Sequence, residues 1–129
     1  MATFLLDTSV IIDAINGKKG RREVLKGLVR QGSILACCPI NIAEVYAGMR
    51  PQEEQATSAF LRSLELYPLT FAVSELAGTL KREYGKRGQT LNLGDVLIAA
   101  TALRNGLTLL TDNNKDFPMK ELTLYPLPS

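Results

Sequence analysis

Histidine is absent from the 129 residues of this chain. That excludes a His-based triad, an imidazole general base and any His-ligated zinc site. Cysteine is nearly absent as well, with Cys37 and Cys38 adjacent in an apolar run. Neighbours of that kind rarely bridge each other, and two thiols do not make a four-ligand metal site. They read as small buried side chains suited to a reducing compartment. No stretch approaches the roughly 20 apolar residues needed to span a membrane. Nor does the N-terminus carry a basic segment leading into a signal-length apolar run. The expectation is a soluble, cytoplasmic protein with no membrane partner. A formal net charge of +2 is too small to name a partner by itself. What remains for chemistry is oxygen, in carboxylates, hydroxyls and amides, and such ligands select hard cations, Mg²⁺ or Mn²⁺.

What is present fits one ordinary globular domain over residues 1–129, with 46% hydrophobic and 22% charged residues, enough to bury a core unaided. Residues 3–6 read as a buried strand. Thr8 and Ser9 offer N-caps for a helix running to about Asn16, with Gly17 as its stop. A helix over 20–31, a strand over Ile34–Cys38 closed by Pro39, and a helix over 40–49 follow. Pro51 opens another helix, 68–71 reads as a short strand, and 72–87 as a long helix. A further helix begins near Leu93 and ends at Asn105-Gly106, before a strand over Thr108–Thr111, a turn at Asn113-Asn114 and a last edge strand over 122–125. This alternation predicts a three-layer α/β/α sandwich around a central, mostly parallel sheet of four to five strands.

Four acids stand beside apolar stretches, where a lone charge is costly: Asp7, Glu44, Asp95 and Asp112. Ligands in open α/β sheets gather outside the carboxyl ends of the strands. Asp7 and Asp112 each directly follow a strand candidate and belong at that edge. Asp95 falls in the first turn of its helix with Ala99 and Ala102 on its face, so its side chain is expected to point towards the sheet. Glu44 shares a helix with Ile40 and Ala47 at neighbouring turns, which predicts an inward face. Each acid also has a plainer role, in capping, dipole compensation or a turn. Two carboxylates about 4 Å apart repel by around 4 kcal/mol at an effective dielectric near 20, so several together call for a cation.

Asp7-Thr8-Ser9, Ile42-Ala43-Glu44-Val45, the run from Leu93 through Asp95 to Ala102, and Leu110-Thr111-Asp112-Asn113-Asn114-Lys115-Asp116-Phe117 together make the chain resemble the PIN-domain nucleases. Within them it is most similar to the VapC-type toxins of bacterial toxin–antitoxin modules. The resemblance covers essentially the whole chain in order and spacing. It implies a Mg²⁺- or Mn²⁺-dependent endoribonuclease, a homodimer, and a cognate antitoxin over the active-site groove. Carried over by position, Asp7 and Asp95 match the principal metal ligands and Glu44 the second acid of the motif, a further metal-binding candidate. The fourth acid stays open: Asp116 fits the motif better, and Asp112 fits the strand-end argument better. Thr8, Ser9, Thr111 and Asn113 are candidate donors that orient these acids.

Two basic clusters could meet phosphates. Lys18, Lys19, Arg21, Arg22, Lys26 and Arg30 form one, and Arg82 with its neighbours flanks Tyr84, a candidate for base stacking. Solvated helix faces are the plainer reading of both. The rival functional reading is a catalytically silent PIN-like module that only binds RNA or a protein. Phosphotransfer domains also place Asp at strand ends, but the adjacent acid pair and late strand-end Lys of the receiver type are not evident, and Asp7-Thr8-Ser9-Val10 fails the D-x-D-x-T of the dehalogenase type.

Overall fold

Four-residue apolar runs are too short for stable helices and rich enough in bulky side chains to be buried on both faces, which is the signature of parallel strands. In a computed structural model describing residues 2–128, they form β1 (Thr3–Leu6), β2 (Ile34–Cys37) and β4 (Thr108–Thr111), joined by the shorter β3 (Glu65–Leu66) and β5 (Leu124–Pro126). The sheet has five strands in the order β3-β2-β1-β4-β5, every pair parallel. Phe4 pairs with Leu35 on one side and Thr108 on the other.

Period-two alternation divides the strand residues between two cores. Leu5, Ala36 and Leu109 pack with α5 (Phe71–Lys86) and α6 (Leu93–Asn105). Phe4, Leu6, Cys37 and Leu110 pack with α1 (Thr8–Ile15), α2 (Arg21–Arg30), α3 (Pro39–Gly48) and α4 (Glu54–Ser63). The expected three-layer sandwich with a parallel sheet is what forms. Helix α6 is the central one: Val96 and Ile98 to Ala102 are all fully buried. Its ends are set by local chemistry. Asn92 caps the N-terminus by accepting from Asp95 N–H at 3.3 Å, and Gly106 closes the C-terminus in the left-handed region at φ 65°.

Several boundaries differ from expectation for identifiable reasons. The cap of α1 is Asp7 rather than Thr8 or Ser9, with its Oδ1 accepting from Thr8 N–H at 2.8 Å, and the helix ends at Ile15. β2 stops at Cys37 because Cys38 is the extended residue that caps α3. Pro51–Glu53 forms one 3₁₀ turn before α4 begins. The strand expected over 68–71 is absent. The short edge strand lies earlier, at Glu65–Leu66, because Pro68 has no N–H for a ladder and Thr70 already caps α5 through Val73 N–H at 3.1 Å. The last strand begins at Leu124, while Leu122 turns into the core. Among the described residues, no helix is long and apolar enough to cross a membrane.

Candidate active site

The strand order runs down from β3 to β1 and then jumps to β4, so the direction of winding reverses between β1 and β4. Crevices for ligands open at such switch points, outside the strand carboxyl ends. Asp7 leaves β1 and Thr111 ends β4 at that place, and the two strands are still paired there, since Asp7 N–H donates to Leu110 O at 2.9 Å.

Asp7 is 5% exposed. Both its oxygens are engaged: Oδ1 takes the Thr8 N–H, and Oδ2 takes the Thr111 hydroxyl at 2.7 Å. Burial nevertheless pushes its pKa up, reinforced by Glu44 and Asp112 and opposed by those two donors. Asp95, half-buried at the first turn of α6, is pushed up to about 6 by burial, then by Asp7, Asp116 and Glu44. Five acids from four parts of the chain, Asp7, Glu44, Asp95, Asp112 and Asp116, thus stand close enough to feel one another at this crevice.

Glu44 corrects an expectation. Its residue is exposed, as is Ala47, so this face of α3 looks out of the core and into the open crevice. Its position there is fixed by two neighbours. The Thr8 hydroxyl donates to Oε1 at 2.6 Å. Oε2 sits over Gly94, where a Cβ would lie 2.9 Å from it and 3.0 Å from the Oδ1 of Asn92. Gly94 escaped notice in the sequence. A glycine in the first turn of an otherwise continuous helix, between an Asn cap and an Asp, was the available sign of close approach.

The two candidates for the fourth acid differ in their surroundings. Asp116 lies where it raises the pKa of Asp95. Asp112 raises the pKa of Asp7 but is itself tied to cations: Arg21 Nη2 donates to Oδ2 at 3.2 Å, Lys19 stands 3.7 Å away, and Ser9 donates to Oδ1 at 3.3 Å. Burial pushes the Asp112 carboxyl up, but these cations and the hydroxyl together bring it below the ordinary range. Asn113 ties this edge to the centre, its N–H donating to the Thr111 hydroxyl at 3.0 Å and its side chain to Ser9 at 3.4 Å.

Two readings of the basic clusters need correction. Arg21 is 1% exposed and committed to Asp112, Lys19 O and Pro128 O, so it is unavailable to a phosphate. Tyr84 is partly buried against the core, and the Arg87 guanidinium lies 4.7 Å from its ring centre, so a stacking base would have to displace that cation. Arg22 donates to Ala14 O and Ile15 O at the end of α1, and Arg82 pairs with Glu83 at 3.6 Å. Lys18 and Lys19 are exposed, Lys19 at the rim beside Asp112.

The donors in the crevice are all oxygens. As placed, and among the described residues, no three His, Cys, Asp or Glu side chains meet as a closed metal cage. That set suits a cation that keeps much of its water and takes only one or two protein carboxylates, which is the habit of Mg²⁺. A dication there would offset the burial and the mutual repulsion that raise Asp7 and Asp95.

Known proteins resemble this chain along most of its length. The chain is 35% identical over 117 residues to ribonuclease VapC10 of Mycobacterium tuberculosis, covering 91% of this chain and 87% of that one. It is 31% identical over 115 residues to ribonuclease VapC19 of the same organism, covering 89% and 92%. Its fold superposes on VapBC2 of Rickettsia felis, solved bound to a DNA fragment from its promoter, with a TM-score of 0.84 and 26% identity over 95% of this chain and 97% of that one. A toxin–antitoxin complex from Klebsiella pneumoniae gives 0.78 and 27%, covering 98% and 97%. The PIN domain model matches residues 4–121, from β1 through the last acid of the crevice, and the chain belongs to that family.

Proposed function

We propose that this protein is an endoribonuclease dependent on Mg²⁺ or Mn²⁺, acting in the cytoplasm as the toxin of a toxin–antitoxin pair. The observation that carries the proposal is the Asp95 carboxyl, pushed up to about 6 by burial and by three other acids at the switch point of the sheet. Structural ion pairs do not account for it, because the acids there face one another rather than a cation.

Asp7 and Asp95 are the principal residues that would hold the ion, with Glu44 the third carboxylate in reach of it or of its water. A bound dication supplies Lewis-acid polarisation of the scissile phosphate. Glu44 then has a separable task. With Oε1 held by Thr8, Oε2 faces the crevice and is placed to orient a water and accept its proton. No imidazole exists to compete for that role. Lys18 and Lys19 at the rim offer positive charge to the RNA backbone. The antitoxin belongs to the same proposal. A groove of about 940 Å³ between α2 and α4, lined by Leu25, Val29, Phe60 and Leu64 with Arg22 and Lys26 among its cations, suits an amphipathic segment carrying acids. So does a homodimer, which would cover Phe71, 84% exposed at the start of α5.

Purified protein incubated with total RNA should cleave it when Mg²⁺ is present and stop when the ion is chelated. No cleavage under either condition would leave the silent binding module as the better reading. Gly94→Ala offers a finer check. The atoms in the way of the new Cβ are the tips of two side chains, Glu44 and Asn92, which yield by rotating rather than by moving backbone. Helix propensity favours alanine by up to about 1 kcal/mol and offsets the disturbed cap. The variant is therefore expected to melt within a few degrees of wild type while cleaving roughly 10-fold more slowly, the scale seen when a site carboxylate loses its orientation. Equal loss of stability and activity would contradict this.

A further inference from the structure

Asn41 is 0% exposed, on α3 one turn before Glu44. A fully buried primary amide has two donors and an acceptor to satisfy, and leaving one unmade costs about 1–3 kcal/mol. Its partners define a direction. The Cys38 N–H donates to Oδ1 at 2.9 Å. A backbone N–H is only a donor, so the oxygen of the amide must face it and Nδ2 must face the other way. There, Nδ2 donates to the Thr8 hydroxyl oxygen at 3.0 Å. With a proton arriving from Asn41, the single Thr8 proton is turned to Glu44 Oε1, at 2.6 Å. The chain Cys38 N–H, Asn41, Thr8, Glu44 therefore has one polarity throughout, set by a peptide group that cannot reverse.

We propose that Asn41 is a positioning residue for Glu44, acting through the Thr8 hydroxyl. It keeps that hydroxyl donating to Oε1, so that Oε2 is the oxygen presented over Gly94 to the ion or water in the crevice. Without it, the Thr8 hydroxyl rotates freely and Glu44 regains the rotamers that its exposed side chain otherwise samples. The inference rests on the nuclease reading above, and it concerns a residue that neither touches RNA nor holds the ion. The plainer role of Asn41 is to cap α3 by accepting from Cys38 N–H, and the test has to separate the two.

Thr8→Val keeps the side-chain shape and removes the hydroxyl, and Asn41→Leu keeps the volume and removes the amide. Mn²⁺ affinity of the RNA-free protein, by titration calorimetry, and kcat for RNA cleavage are measured for each single variant and the double. Each single change is expected to weaken Mn²⁺ binding and lower kcat roughly 10-fold, with KM little altered. In the Thr8→Val background, Asn41→Leu should add little further loss, because the pathway is already cut. Equal losses from Asn41→Leu in both backgrounds, or none in either, would overturn the proposal and leave only the cap. Should Asn41→Leu fail to fold, the Asn41 side-chain amide resonances decide in wild type and Thr8→Val. They are expected to shift between the two and to respond to Mg²⁺ only in wild type; resonances unchanged by Thr8→Val would refute the link. Wild-type protein that binds no Mn²⁺ and cleaves no RNA would sink the nuclease reading and this inference together. Wild-type activity with unperturbed variants sinks only the inference.

Discussion

Asp95→Asn should abolish RNA cleavage and, in the same protein, raise the melting temperature at neutral pH. The two effects have one origin. The carboxyl is pushed up to about 6 from an ordinary value of 3.8, by burial first and then by Asp7, Asp116 and Glu44. A folded state that holds this proton more tightly than the unfolded chain is penalised when the proton leaves. The penalty is absent below about pH 3.8, grows as pH rises through the window to about 6, and is complete above it. Asparagine keeps the shape and carries no charge, so it escapes the penalty. Half-exposure screens the full shift to about 1 kcal/mol, or a few degrees in melting temperature. Melts in chelator from pH 3.5 to 8 should show the two proteins converging in acid and the variant ahead above pH 6. Titrating groups away from the acid cluster are common to both and cancel in the difference. Cleavage goes the other way. On the proposed reading Asp95 holds the ion, and its removal should forfeit several kcal/mol of charge stabilisation at the phosphate, on the order of 10³-fold in rate. A variant that cleaves normally would remove Asp95 from the site, and a melting difference independent of pH would remove the clustering of acids.

That trade explains why the principal acids were legible in the sequence and their surroundings were not. Asp7 and Asp112 could be placed because each ends an apolar run, and a parallel strand that is buried to its last residue delivers the next one to the sheet edge. The carboxylate in the first turn of α6 was legible for the same reason, from the apolar run behind it. The choice between Asp112 and Asp116 depends on Arg21, which lies 91 residues from Asp112 in sequence. Nothing in the T-D-N-N-K-D-F segment encodes that partner. Glu44 misled because Ile40 and Ala47 suggest a buried stripe, whereas the buried face of α3 is set by Asn41 and Val45. Asn41 itself hides inside an apolar stretch as its one polar residue, and a buried amide is recognisable only once its partners are known. Arg21 was misread for the opposite reason. Five other cations within thirteen residues make it look like part of a solvated or RNA-facing surface, and only the fold shows it turned inward.

Arg21→Met is accordingly expected to cost more stability than any other change in that basic cluster, about 3 kcal/mol or roughly 10 °C in melting temperature. Its guanidinium ties its own segment to two distant ones: Nη1 donates to the nearby Lys19 O at 3.2 Å and to Pro128 O at 2.8 Å, and Nη2 to Asp112 Oδ2. Nε is buried without an acceptor among the described residues, a cost already carried in the native state that methionine removes. What methionine cannot replace is the charge beside Asp112. In wild type, Arg21, Lys19 and Ser9 hold that carboxyl below its ordinary value against the pull of burial. A lowered folded value adds stability that is present above about pH 4 and disappears as pH falls through the Asp112 titration. The deficit of the variant should therefore be largest above pH 5 and shrink in acid, the reverse of the pattern for Asp95→Asn. Arg22→Met provides the contrast. Arg22 is exposed and donates only to two carbonyls at the end of α1, so its loss should cost under about 1 kcal/mol with no such pH signature. Were the two methionine variants to melt alike, the cation next to Asp112 would be a surface charge after all. Asp112 would then return to contention as the fourth acid of the crevice.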